Sequence, residues 1–193
     1  MNTAWLDRIE TPRLILRCPL PGDGEAVFCA VQESLSALRQ WPDSLPWAQK
    51  PQTPERSEDY CQSCFSAFVM GLSWPMLMQD KATGMVLGSV GFHRVATDVQ
   101  ELELGYWCRT SAQGRGLMSE AVTALSDAAL ALMPSARLVC RVDERNTASC
   151  KVMEKSQYRF VHADLQSPEA AVSPNLAIRF YERRSELQTG QLA

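Results

Sequence analysis

The 193-residue chain predicts an α/β fold of the α+β kind, in a single domain, from three features. Strand-like runs follow one another through its middle, from Trp74 to Cys108, with a hairpin-type connection at Lys81 to Gly84. The pattern then switches to helical spacing at Met118, Ala121, Val122, Leu125, Ala129 and Leu132, and helices and strands alternate from there. No internal repeat and no linker divides the chain, so one domain is expected over residues 1–193, with a core of about 11–183.

Thr11 to Arg17 (TPRLILR) reads as a first strand, with Leu14 and Leu16 on one face and Arg13, Ile15 and Arg17 on the other. Pro19, Pro21, Gly22 and Gly24 then punctuate the chain, and a helix is expected from about Gly24 to Ser34. Residues 35–53 hold Pro42, Pro46 and Pro51 with Trp41 and Trp47, which predicts an irregular lid or wall. Pro54 suits the first turn of a second helix that carries Tyr60, Cys61, Cys64, Phe65 and Phe68 and ends near Gly71. The central strands are expected at Trp74 to Asp80, Met85 to Val95 and Glu101 to Cys108, forming an antiparallel meander. Pro134 stops the next helix, Leu138 to Val142 is a short apolar strand, and Asn146 caps a helix from Thr147 to about Ser156. Tyr158 to His162 and Ala177 to Glu182 read as closing strands around a polar loop at 164–176.

Composition narrows the function. Hydrophobic content of 46% and charged content of 21% are those of a globular chain rather than a disordered one. The net charge of -3, with no basic stripe, argues against a nucleic-acid partner and suits a cationic substrate. No segment offers the run of apolar residues a membrane span needs, so no membrane partner is expected. Seven cysteines, an odd number, and a start without a signal-peptide pattern fit a reducing cytoplasm. Cys61 and Cys64 form a lone C-x-x-C inside a helical stretch, and the histidines are His93 and His162, so no metal site is expected.

The chemistry concentrates after the third central strand. Gln113, Gly114, Arg115 and Gly116 lead straight into a helix that opens on Leu117, Met118 and Ser119. Glycines there let a ligand approach the backbone closely, and free N–H groups at the positive end of the helix dipole suit an anion such as a pyrophosphate. The dinucleotide fingerprint and the nucleoside-triphosphate P-loop both require residues that this stretch lacks.

The run Gln113 to Met118 (QGRGLM) resembles the Gln/Arg-x-x-Gly-x-Gly/Ala signature of the GNAT superfamily of acetyltransferases. Glu103 to Trp107 (ELGYW), Asn146-x-x-Ser149, the opening TPRLILR and the Trp41/Pro46/Trp47 segment are similar to its RimJ/RimL branch, which contains the ribosomal-protein N-acetyltransferases. The resemblance runs from about Thr11 to about Arg183. It implies a mixed, strongly twisted, mostly antiparallel sheet with helices on both faces. Two neighbouring central strands, ending near Cys108 and Val142, would splay apart. Acetyl-CoA is the implied co-substrate. Its pantetheine arm would hydrogen-bond to backbone around Tyr106, Trp107 and Cys108, with Asn146 and Ser149 close by. The sequence departs from the family pattern at Met118, where Gly or Ala is usual, and at Gln157, where Gly often stands. Met153 holds the place where many relatives carry a tyrosine that protonates the departing thiolate.

Acetyl transfer needs a neutral amine, a stabilised oxyanion and a leaving thiolate. Glu103 is the candidate base, directly or through water, and Ser149 the candidate hydroxyl at the sulfur. Each has a structural alternative: a solvated strand face for Glu103, and local capping with Asn146 for Ser149. Glu101 shares the face of Glu103 and could bind a cationic acceptor, and Glu169 in the late loop could reach over the same site. Trp41, Trp47 and Trp74 are candidates to line the acceptor pocket, with core packing as the alternative. The cysteines are expected to pack rather than to act as nucleophiles. An N-terminal α-amine (pKa ~7.7–8.0) is an easier acceptor than lysine (~10.4), which together with the branch points to a protein or peptide N-terminus, possible ribosomal-protein partners included. A small-molecule amine such as a polyamine, amino acid or aminoglycoside, and a CoA-binding module without turnover, remain open. Oligomeric state, a homodimer included, is not fixed by the sequence.

Overall fold

The computed structural model describes residues 8–94, 100–165 and 176–185. Eight strands form one sheet in the order β1-β2-β3-β4-β5-β6-β8-β7. They are β1 (Arg8–Glu10), β2 (Leu14–Arg17), β3 (Ser73–Asp80), β4 (Val86–Arg94), β5 (Glu101–Cys108), β6 (Arg137–Asp143), β7 (Arg159–Leu165) and β8 (Ala177–Arg183). Every neighbouring pair is antiparallel except β5 and β6. The four α-helices are α1 (Gly24–Leu38), α2 (Pro54–Val69), α3 (Leu117–Leu132) and α4 (Thr147–Lys155).

Strand alternation divides the core in two. Leu14, Leu16, Trp74, Met76, Phe92, Leu102, Leu104 and Leu138 turn to one face and pack with Ala121, Val122 and Leu125 of α3 and Met153 of α4. Leu77, Val86 and Trp107 turn to the other and pack with Val27, Ala30 and Val31 of α1 and Cys61 of α2. Helices therefore cover both faces, as the family resemblance implies.

Several boundaries differ from the expectation. The predicted first strand is a hairpin: Thr11 N–H donates to the Leu14 carbonyl at 2.9 Å, and Glu10 pairs with Ile15, so Thr11 to Arg13 turn the chain between β1 and β2. α1 runs on to Leu38, because Leu38 belongs to the same buried stripe as Val27 and Val31. The irregular segment thus shrinks to 39–53, where only Pro46–Gln49 is regular, as a single 3₁₀ turn. The closing strands exchange places in space: β8 pairs with β6 and leaves β7 at the sheet edge.

Two helix ends follow local chemistry. Thr53 accepts from Arg56 N–H at 3.3 Å ahead of Pro54, and Asn146 Oδ1 accepts from Ser149 N–H at 3.0 Å. Beyond α4, Gln157 holds φ +65°, the left-handed region that favours glycine. The turn keeps its form because Tyr158 N–H donates to the Met153 carbonyl at 3.0 Å and the Gln157 side chain accepts from Arg183 at 3.0 Å.

Candidate functional site

The parallel pair β5–β6 is joined over three positions, ending at Glu103 opposite Val139. Beyond that point Leu104 to Cys108 and Cys140 to Asp143 have no pairing with one another, and the strands splay. The reason for the opening lies on the far sides: β5 stays paired to β4 as far as Cys108, and β6 stays paired to β8 as far as Asp143. Arg109 N–H bonds the Leu87 carbonyl at 2.8 Å, which fixes the alternation along β5. Odd-numbered β5 residues thus bond β4, and the Leu104 carbonyl and Tyr106 N–H face the gap.

A cavity of about 470 Å³ fills this gap. Its walls come from Glu103 to Tyr106 of β5, Cys140 to Asp143 of β6, Asn146 and Ser149 at the head of α4, and Trp41 and Asp43 of the Pro-rich segment. Tyr106 crosses the opening on the α4 side: its hydroxyl donates to the Ser149 carbonyl at 3.2 Å. The Ser149 backbone is thus held twice, by Asn146 through its N–H and by Tyr106 through its carbonyl, while its half-buried side chain lines the cavity. Capping is the work of Asn146, not of the serine hydroxyl. Met153 lies fully buried in the core, so it contributes packing and no proton.

At the open end of β5, Gly114 (φ +72°) and Gly116 (φ +75°) both take left-handed conformations, and Gly116 caps α3. The first intrahelical bond runs from Glu120 N–H to the Gly116 carbonyl at 3.1 Å. Ahead of it, the N–H groups from Gly114 to Ser119 have no acceptor among the described residues. They form the donor array an anion requires. Leu117 and Met118 offer only their backbone, since both side chains are buried in the core; Met118 therefore does not crowd the loop. The Gln113 side chain donates to the Cys108 carbonyl at 3.2 Å, closing the loop on the strand end. Arg115 is exposed on the loop.

Two residues outside the expected set brace this loop. Glu120, in the first turn of α3, is held by the Thr11 hydroxyl at 2.5 Å, Arg13 N–H at 3.0 Å and the Arg13 guanidinium at 2.6 Å. Arg13 also donates to the Arg115 carbonyl at 2.9 Å. In the sequence Arg13 is one outward residue of a strand and Glu120 an ordinary first-turn acid. The alternation and the helix signals carry no hint of a contact across 107 residues.

The acid–base assignments change with the geometry. Both Glu103 oxygens are taken by Arg141, at 2.6 and 2.7 Å, and His93 Nε2 stands 3.6 Å away. Burial pushes the carboxyl up, but His93 and Arg141 outweigh it and hold it down at about 2. A carboxylate that acidic is a poor proton acceptor, which corrects the reading of Glu103 as a direct base. Glu101 is bound by Arg137 at 2.7 Å and does not line the cavity, so it does not meet an acceptor there. Trp74 is also corrected: it is 4% exposed, lies in the core that packs against α3, and lines neither this cavity nor its neighbour. Trp41 lines the cavity, and Trp47 lines a neighbouring one, tilted against Trp107 at 6.2 Å between ring centres. The Trp107 side chain belongs to the α1–α2 core. Glu169 lies outside the described residues.

Cys140 and Cys150 are buried, and burial pushes the Cys108 thiol up to about 11 against the pull of Arg115, the opposite of what a nucleophile needs. Burial also raises Cys61, to about 12, and Cys64. Among the described residues no group of three or more His, Cys, Asp or Glu is placed to hold a metal ion, and no helix is long and apolar enough to cross a membrane.

Comparison with known proteins agrees with this geometry. No curated protein sequence matches the chain. The fold is similar to that of RimL, a ribosomal L7/L12 α-N-protein acetyltransferase solved with coenzyme A (TM-score 0.79, 20% identity, 93% of this chain and 98% of that one). It is also similar to a ribosomal-protein-S5-alanine acetyltransferase from Vibrio fischeri (0.78, 16%, 93% and 97%). A third similar structure is the microcin C7 self-immunity acetyltransferase MccE, solved with acetyl-CoA and AMP (0.76, 13%, 90% and 93%). Residues 13–159, which hold the splayed strands, the glycine loop and the head of α4, match the model of the acetyltransferase (GNAT) domain, and the chain belongs to that family.

Proposed function

We propose that this protein is an acetyl-CoA-dependent N-acetyltransferase whose acceptor is the N-terminal α-amino group of a protein or peptide. The observation that carries the reading is the splayed pair β5–β6, which opens a cavity of about 470 Å³, together with the N–H groups at the head of α3 that have no acceptor among the described residues. The N–H groups from Gly114 to Ser119, with Arg115, suit the pyrophosphate, and the Tyr106 carbonyl and Cys108 N–H, on the same side of β5, suit the amide-bearing pantetheine arm. Acetyl-CoA supplies an activated thioester. The rest is the work of the chain's own groups.

The amine nitrogen attacks the thioester carbonyl, the C–S bond breaks, and the amine loses one proton as the thiolate gains one. Tyr106 N–H is the donor for the oxyanion. Asp43, Glu103 and Asp143 make the cavity attractive to an ammonium group, although Asp143 is paired with Arg145 at 2.6 Å and Glu103 with Arg141. Glu103 thus acts through charge and through the orientation of Arg141 and His93, and water takes the proton. An α-amine, with pKa ~7.7–8.0, is neutral often enough for that route, and a lysine is not. The Ser149 hydroxyl is the proton donor nearest the splay from α4. RimL and the Vibrio fischeri enzyme, whose names give ribosomal-protein acceptors, support the N-terminal reading. Cytoplasmic residence is part of this proposal, as is the organisation of the whole chain as one domain.

The test is thiol release from acetyl-CoA with a panel of N-terminal peptides, polyamines, amino acids and aminoglycosides. Turnover confined to peptides with a free α-amine is the expected result. Turnover with small amines alone refutes the acceptor, and none with any amine refutes the enzyme.

A further inference from the structure

A second cavity, of about 450 Å³, lies between α2 and the β3–β4–β5 part of the sheet. It meets the first at Ser44, Leu45, His93, Gly105 and Tyr106, which line both. Gly105 leaves this junction open: a Cβ built there meets no atom within 4 Å. The two cavities differ in chemistry. The first carries Asp43, Glu103, Arg141 and Asp143. Among the described residues the second carries no Asp, Glu, Lys or Arg, and its walls include Trp47, Tyr60, Cys64, Ala67, Pro75 and Trp107. Both of its phenols are already engaged: Tyr106 donates to the Ser149 carbonyl at 3.2 Å, and because Ser89 Oγ donates to the Met76 carbonyl at 2.9 Å, the Tyr60 hydroxyl at 3.4 Å is the donor to Ser89. Ser44 and Ser63 sit exposed at the rim.

We infer that the second cavity is a side-chain pocket of the acceptor site, and that the preferred acceptor is an α-amine whose own residue bears a large apolar or aromatic side chain. The inference rests on the proposed acetyl transfer and names its substrate class. The amino group would stand at the Gly105 junction, next to the carboxylates and the gap, and the side chain would turn beneath α2. A cavity of this volume suits an indole or phenyl group, and an aromatic wall rewards that surface. A lysine or polyamine chain would leave its charge without a partner there, and a serine or alanine would leave most of the space unfilled.

The test is kcat/KM for peptides that differ only in their first residue, Phe, Leu, Trp, Ala, Ser or Lys, with spermidine alongside. Phe, Leu and Trp should exceed Ala and Ser by at least ~10-fold, the discrimination an apolar pocket gives for a few carbon atoms. Ala67→Phe, which fills the pocket from α2, should lower the Phe-to-Ala ratio at least ~10-fold; Ser63→Phe, from the exposed rim, does the same if the first variant folds poorly. Preference for Ser, Ala or Lys, or an unchanged ratio in both variants, overturns this inference and leaves the enzyme reading intact. Absence of thiol release with every amine tested overturns the enzyme reading, and this inference with it.

Discussion

Glu120 creates a problem that Arg13 solves, and the pair gives the most direct test of the loop. A carboxylate four residues beyond Gly116 stands ~6 Å along the helix from an anion held at its N-terminus. At an effective dielectric of ~40, its repulsion from a doubly charged pyrophosphate is ~3 kcal/mol, which an ~8 Å Debye length reduces to ~1.3 kcal/mol. In the folded protein Arg13 cancels this charge at 2.6 Å and braces the Arg115 carbonyl. Arg13→Gln should therefore weaken CoA binding ~10-fold near physiological salt, and more at low salt. Glu120→Gln should bind CoA at least as well as the parent, and the double variant should return to within ~3-fold of it. Calorimetric titration with CoA on the four proteins, well below their melting temperatures, decides the matter. If Arg13→Gln binds as the parent does, the charge argument is wrong. If the double variant stays as weak as Arg13→Gln, Arg13 contacts the anion itself and Glu120 is a bystander.

Substitutions at five other positions probe the same geometry. Gly116→Asp should abolish the CoA-induced rise in melting temperature, whereas Gly116→Ala, which shares the φ +75° strain without the charge, should keep part of it; equal shifts in parent and Gly116→Asp would remove the loop from the site. Glu103→Gln should lower kcat by a factor that does not change between pH 6 and 9, because the carboxyl, held down at about 2, stays ionised throughout; a loss that shrinks as pH rises would restore it as the base. Its depressed pKa also adds stability that is present above the unfolded value, ~4.3, and lost as pH falls toward about 2, so acid unfolding curves of the parent and Glu103→Gln should converge in that window. Ser149→Ala keeps the backbone N–H that Asn146 accepts, so it should melt within ~0.5 kcal/mol of the parent while slowing transfer up to ~100-fold; Asn146→Ala should cost ~1 kcal/mol instead, and a normal rate in Ser149→Ala would make the serine structural. Gln157→Gly should stabilise the fold by ~0.5–1 kcal/mol, the left-handed strain relieved less the Arg183 hydrogen bond lost, and an earlier melt would show that bond to dominate.

The sequence by itself determined the local structure and the class of chemistry. β5 and α2 stand where alternation, Pro54 and helical spacing put them, because those signals are local: side-chain period, a missing N–H at a first turn, a capping oxygen. The QGRG run was legible as a glycine turn into a helix for the same reason, since a left-handed glycine and a helix start are properties of consecutive residues. Tertiary structure decided what depends on neighbours far apart in the chain. Glu103 reads as a base on a strand face until β6 brings Arg141 within 2.6 Å and holds its carboxyl down at about 2. Trp74 and Trp47 look alike in sequence, and only the sheet's two faces send one to the core and the other to a cavity wall. Arg13 and Glu120 meet because β2 and α3 pack together, and Tyr106 reaches Ser149 because β5 leaves β6 there. Electrostatics and burial are set by distance in space, and a linear pattern carries that distance only where the chain is its own neighbour.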